Sequence, residues 1–309
     1  MGAGHHHHHH HGHDHGHGHH HHAPADTGDW RYLVALLINL AFVVCEFGAG
    51  LVSGSTALMA DAGHNLSDVL GLAMAGGAAW LARRAANRRR TYGYGKATVL
   101  AALFNALFLI FACGAIALEA GRRLIDPQPV ESGVVMGVAA VGFVINLATA
   151  LLFRRDQHAD LNARGAYLHM MADAAVSIGV VISGGLILLT GLDVIDPIVS
   201  IVIVAVILVG TWGLLKDSVN LALDAAPRGV DVKAVETELL ALPGVTAVHD
   251  LHVWGLSTTR TALTAHLVHG SDAPQALLAQ AQALLHERFD IDHSTLQLES
   301  DALPDCPDC

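Results

Sequence analysis

From Tyr32 onward the chain alternates long apolar runs with short polar ones, at roughly 32–52, 57–82, 97–120, 133–153, 165–190 and 195–215. Each run is near the ~20 residues that cross a bilayer as a helix, so the pattern predicts six membrane spans. Six spans place both termini on one side. On that side lie Arg31, Arg83, Arg84, Arg88, Arg89, Arg90, Lys96, Arg154, Arg155, Arg164 and Lys216, against only Arg122 and Arg123 in the opposite loops. Basic flanks stay in the cytoplasm, so both termini are expected there, with the Arg cluster after the second span anchored on anionic headgroups.

Outside the apolar block the pattern changes twice. Residues 1–29 hold most of the 23 histidines amid Gly and Asp, with only Met1 and three alanines as apolar residues to offset the entropy of ordering. They read as a disordered His-rich tail, and HGHDHGHGHHHH continues past His5–His11 in a way that purification tags do not. From about Ala225, DVKAVETELLALPG reads as an amphipathic helix, VTAVHDLHVWGL and TRTALTAHLVHG as strands, APQALLAQAQALLHERF as a helix and HSTLQLES as a last strand. The expected architecture is therefore an α-helical membrane protein. A six-transmembrane-helix bundle (30–218) precedes a C-terminal cytoplasmic α+β ferredoxin-like domain (225–300) and a short tail (301–309) ending in Cys-x-x-Cys.

Composition agrees with this reading: the 309 residues are 52% hydrophobic and 15% charged, with a mean hydropathy of +0.44. A formal net charge of -11 leaves no basic surface for nucleic acid and favours metal cations as partners. Of the four cysteines, Cys45 and Cys113 lie in apolar runs and read as small core side chains. Cys306 and Cys309 end the chain, so no disulfide framework is expected. The polar N-terminus lacks a signal-peptide core, so the first span is expected to be retained.

The chemistry lies inside the membrane. In ALMADAGHNLSDVLGLAM of the second span, His64 and Asp68 are four residues apart, on one helix face; AYLHMMADAAVSIG of the fifth repeats the spacing with His169 and Asp173. A carboxylate at the middle of a membrane helix costs about 2.5–3.5 kcal/mol on insertion scales, so each Asp needs a partner. Either pair alone could be a polar helix–helix contact. Two such pairs beside a His-rich tail offer two nitrogens and two carboxylate oxygens, a set suited to tetrahedral Zn²⁺. Counting inward at ~1.5 Å per residue puts Asp68 about 16 Å and Asp173 about 25 Å deep, a gap that tilt or a shorter fifth span must close. Glu46, Asp61, Asn39, Asn105 and Asn146, also at membrane depth, read as packing, hydration or an ion path rather than as ligands.

ADAGHNLSD, RRTYGYGKATVLAALFNA, AYLHMMADA and HDLHVW together resemble the cation diffusion facilitator family of zinc transporters, a likeness that runs from Arg31 to Glu299. The resemblance implies a homodimer in the bacterial inner or plasma membrane that exports divalent metal from the cytoplasm in exchange for H⁺. It places His64, Asp68, His169 and Asp173 on the family's transport site, with His at the first position associated with zinc over Co²⁺, Ni²⁺ or Cd²⁺. It also puts His249, His266 and Glu299 where further zinc binds in the cytoplasmic domain, and His293 as a weaker match. No cofactor is implied, with Zn²⁺ acting as substrate and as a structural or regulatory ligand. Strand alternation is expected to send His249 and His252 to opposite faces, and His286 to an ordinary helix surface. Cys306 and Cys309 can bite one soft metal, with ligands from elsewhere, or form a loose redox-active or inert end. The His-rich tail is expected to act as a weak zinc buffer.

The alternative is a membrane-embedded zinc sensor or buffer that moves nothing across the bilayer; buried ligand pairs on two spans argue against it. A metallohydrolase would need a general base beside the metal, as in H-E-x-x-H, and a free coordination position. Neither is present in the sequence, and the expectation is a secondary transporter rather than an enzyme.

Overall fold

A computed structural model describes residues 30–154 and 161–300. Six long helices come first: α1 (Trp30–Ser53), α2 (Thr56–Ala82), α3 (Lys96–Ile125), α4 (Ser132–Phe153), α5 (Leu161–Thr190) and α6 (Ile195–Ala222). Their apolar surfaces face outward as well as inward. Phe104, Phe111, Leu118, Val206, Val209 and Trp212 are all exposed, as lipid-facing side chains must be. By length and composition α3, α4, α5 (Tyr167–Thr190) and α6 suffice to cross a membrane. The 24-residue α1 is apolar along most of its length, and α2 is made more polar by Asp61, His64, Asn65 and Asp68. The helices α3 and α6 run past the predicted apolar windows, to Ile125 and Ala222, because Arg122, Arg123, Lys216 and Asp217 continue a helix beyond the apolar layer.

The bundle core is built largely from small and β-branched side chains, including Ala57, Ala60, Ala139, Val135, Val180, Ile203 and Val204. Small residues let helices approach closely where lipid offers no hydrophobic drive for association. The start of α2 is tied to the start of α6 by one buried carboxylate. Asp196 accepts hydrogen bonds from Ser55 Oγ (2.5 Å), Thr56 N (2.6 Å), Thr56 Oγ1 (2.7 Å) and Ala57 N (3.3 Å). A negative charge on a helix N-terminus is favourable, and here it fixes where α2 begins. Cys113 is buried as expected, but Cys45 is exposed. Fully buried Glu46, the next residue of α1, takes the inward face instead.

The second part folds as α7 (Val232–Leu240), β1 (Val245–Gly255), β2 (Thr261–His269), α8 (Pro274–Phe289) and β3 (His293–Glu299). The sheet order is β1-β2-β3, with β1 antiparallel to β2 and β2 parallel to β3. The α-β-β-α-β order is thus the expected one. Asp231 caps α7 by accepting from the backbone N–H groups of Lys233 and Ala234. One sheet face packs Val253, Leu263, Ala265 and Leu267 against Val235, Leu239, Ala281 and Leu285 of the two helices, which leaves the other face open.

This domain meets the bundle beside the Arg-rich loop between α2 and α3. Thr258 N donates to Thr98 Oγ1 (3.1 Å) and Tyr92 sits edge-on to His293, while Lys96 Nζ holds the end of α6 and the link that follows it, donating to Leu221 O (2.8 Å) and Asp224 Oδ1 (2.6 Å). Gly95 is required here, because a Cβ on it would lie 2.5 Å from Leu256 O. The basic cluster and the C-terminal domain therefore share one face of the bundle.

Candidate metal centre

Four-residue spacing stacks each His above its Asp on one face of α2 and one face of α5. The helices run antiparallel, so the pairs meet head to tail. His64 Nε2 lies 3.1 Å from Asp173 Oδ1 and 3.6 Å from Asp68 Oδ2, while His169 Nε2 lies 3.3 Å from Asp68 Oδ2 and 3.7 Å from Asp173 Oδ2. A tetrahedral ion with ligand bonds of ~2.0–2.1 Å has edges of ~3.3–3.4 Å between ligand atoms. The four His–Asp distances bracket that value; His64, Asp68 and Asp173 already present ligand atoms within 4.8 Å of one another, and His169, whose ring centroid is 6.0 Å from that of His64, must swing inward to complete the set. All four side chains predicted from the sequence are thus brought together.

The centre is asymmetric in exposure. The Asp173 side chain is 3% exposed and that of His64 12%, against 27% for Asp68 and 28% for His169. Asp68 and His169 lie on the turns nearer the C-terminal domain, so the centre opens toward that face and closes away from it. The difference in counted depth is explained by helix length. There are 17 residues from Asp173 to Thr190 but 8 from Thr56 to His64, so α5 continues ~14 Å further past the site than α2 does.

A second cluster sits on the open face of the sheet. His249 Nε2 lies 3.1 Å from Glu299 Oε2, and His266 Nδ1 lies 3.0 Å from Glu299 Oε1. The three can present ligand atoms within 4.8 Å of one another, and Glu299, 6% exposed, is oriented by Gln297 Nε2 at 2.9 Å. Two imidazoles and a carboxylate are a fitting donor set for Zn²⁺. The expectation for His252 needs correction. A bulge between His249 and His252 adds a residue to β1, so His249 opposes His266 while His252 opposes Thr264. Directly opposed residues share a face, and His266 and Thr264 are two apart, so His249 and His252 lie on the same face.

The bulge also recruits a residue that sequence reasoning missed. Asp250, with φ of 50°, reaches His252 Nε2 at 2.7 Å and His266 Nε2 at 3.5 Å. An Asp flanked by histidines in HDLH was the available signal, since Asp tolerates positive φ better than most residues. His293 pairs with Ala262, at the opposite end of β2 from His266, and its ring faces Tyr92. His286, on the surface of α8, pairs with Asp292. Cys306, Cys309 and the His-rich tail lie outside the described residues.

Comparison with known proteins now decides the family. Residues 32–221 match the model of the cation efflux transmembrane domain, and residues 227–301 that of the cation efflux protein cytoplasmic domain. The chain belongs to the cation diffusion facilitator family. It is 37% identical over 268 residues to the metal cation efflux system protein CzcD of Cupriavidus metallidurans, covering 86% of this chain and 85% of that one. It is 36% identical over 291 residues to the zinc transporter ZitB of Escherichia coli, covering 92% of each. It is also 31% identical over 278 residues to a cadmium, cobalt and zinc/H(+)-K(+) antiporter of Bacillus subtilis, covering 87% of this chain and 88% of that one. This facilitator is a multi-pass membrane protein that exports divalent metal cations, a transporter rather than an enzyme.

Proposed function

We propose that the chain exports Zn²⁺ from the cytoplasm in exchange for H⁺, with His64, Asp68, His169 and Asp173 as the transport site. The observation that carries this reading is the head-to-tail pairing of two His-x-x-x-Asp turns at distances that bracket a tetrahedral edge. Because ligands come from two helices, each ion–ligand set depends on the relative position of α2 and α5. Rocking one against the other separates His64 from Asp173 and Asp68 from His169, leaving only the pairs within each helix. Affinity then falls as the helices move. Imidazole binds metal only when neutral, and its ordinary pKa near ~6.5 lets protons compete at the same nitrogens. Protons arriving on the far side thus displace the ion and reset the site.

Zinc preference is supported by the two imidazoles and by the named substrate of ZitB, while the name of the Bacillus subtilis relative adds cadmium and cobalt as lesser substrates. The basic loop on the face of the C-terminal domain supports an orientation with both termini in the cytoplasm of a bacterium, spanning its inner membrane. In this reading His249, His266 and Glu299 bind a regulatory or structural zinc in a homodimer, His293 contributes little, and the His-rich tail and Cys306–Cys309 buffer metal. Zinc flux into proteoliposomes, measured with and without a proton gradient, tests the proposal. Gradient-driven flux that Asp173→Ala abolishes is expected; a wild type that binds zinc but moves none would make the chain a sensor.

A further inference from the structure

Beside the metal centre the bundle buries two further carboxylates, one of which, Asp61, is close enough to interact electrostatically with His64 and Asp173. Glu46 of α1 and Asp61 of α2 are both 0% exposed. Glu46 Oε2 accepts from Asn65 Nδ2 at 3.1 Å, and Asp61 Oδ2 accepts from Ser177 Oγ of α5 at 2.9 Å. Their other oxygens, Glu46 Oε1 and Asp61 Oδ1, are buried without a hydrogen-bond partner. The fourth wall is α4, where a Cβ on Gly142 would stand 3.5 Å from both Glu46 Oε1 and Ser177 Oγ. Gly142 thus lets α4 approach both oxygens closely, with the Phe42 ring filling the remaining side (Cζ 3.2 Å from that Cβ position).

Two carboxylates with orphaned oxygens are costly in a membrane interior, where each unmet polar atom costs about 1–3 kcal/mol and a charge more. Such atoms in a native fold call for a partner, which a water, a proton or a cation can supply. We propose that Glu46, Asp61 and Ser177, with Asn65 at their edge level with the main centre, form a second station for the transported divalent cation that extends from the main centre toward the membrane face remote from the C-terminal domain. The proposal rests on the transport reading for its direction and on the orphaned oxygens for its existence. Asp61 is three residues from His64 toward the start of α2, and Ser177 four residues from Asp173 toward the end of α5, so both lie about one turn further along the exit side. The donors are all oxygen: two carboxylates, a hydroxyl, and an amide that presents Oδ1 after a flip. Without imidazole this set holds zinc more weakly than the main centre. A weaker site downstream takes an ion from a stronger one only as the latter is protonated, and releases it readily.

The test uses the full-length protein and dicyclohexylcarbodiimide, which modifies protonated carboxyls in apolar surroundings, with Glu46 followed by peptide mass spectrometry. Metal-free protein is expected to be modified at Glu46, and zinc to slow the reaction at least ~10-fold, one factor of ten being ~1.4 kcal/mol of protection. Protection should persist in His169→Ala, where the main centre has lost a ligand. It should vanish in Asp61→Asn and return in Asp61→Glu. Protection lost in His169→Ala would trace the signal to the main centre and overturn the proposal. An unreactive Glu46 without metal, or a rate that varies with pH but not with zinc, would overturn it too, the latter leaving a proton site alone. A protein that moves no zinc yet shows this protection would sink the transport reading and leave the station standing.

Discussion

The two clusters offer the same donor types, imidazole and carboxylate, on opposite mechanical principles. In the membrane, two imidazoles and two carboxylates come from two helices, α2 and α5, that no backbone hydrogen bond joins. In the C-terminal domain, His249, His266 and Glu299 come from three adjacent strands whose hydrogen-bonded ladder fixes their spacing. A site shared by separable helices can change affinity as they move; a site on one sheet cannot without breaking the ladder. The first arrangement suits release, the second retention.

Removing a ligand from the movable site should have the largest effect. Asp173→Ala is expected to lower proton-driven zinc flux in proteoliposomes at least ~100-fold, because it removes both a ligand and the deepest charge of the centre. Residual flux within tenfold of wild type would mean that the two clusters are not divided in this way. His64→Asp should change preference before rate. Cadmium bound per zinc, measured by metal analysis of purified protein, should rise several-fold as a nitrogen is exchanged for oxygen. Lowering the pH from 7.5 to 6.0 should weaken zinc binding at the membrane centre about 10-fold or more, since protons and metal share the imidazole nitrogens. Titration calorimetry on the Glu299→Gln variant isolates that effect.

The static site should respond in stability rather than in flux. Zinc at a hundredfold excess over its Kd stabilises a bound domain by about 2.7 kcal/mol. Hydrogen exchange of β1 and β2 amides in the full chain should therefore slow about 100-fold on adding zinc. Glu299→Gln should remove most of that gain while saturating flux falls less than ~5-fold. Deleting residues 1–22 should produce the smallest change, a shift in apparent zinc affinity with maximal flux kept.

Much of the membrane centre was legible because a helix repeats every 3.6 residues. Spacings of 64 to 68 and 169 to 173 place each His over its Asp whatever the helix packs against. The order α-β-β-α-β was legible for a similar reason, since periods of two and 3.6 alternate along residues 231–300. Alternation failed where the β1–β2 register shifts, at Val245/Ala247 and, decisively for the site, at His249/His252. Between His249 and His252 the chain spends an extra residue, Asp250, on a bulge, and pairing with β2 rather than local preference sets where that happens. Cys45 was misassigned because an apolar run does not show which side of a helix faces lipid.

By itself, the sequence determined which residues can act as ligands, how they are stacked within each helix, and how many helices and strands there are, because these depend on neighbours a few residues away. The tertiary structure decided which stacks meet. It set His64 against Asp173 and Asp68 against His169, opened Asp68 and His169 more than Asp173, and enclosed Glu46 and Asp61 with Ser177. Those relations join residues a hundred or more positions apart, and only the packing of α1, α2, α4 and α5 brings them within bonding distance.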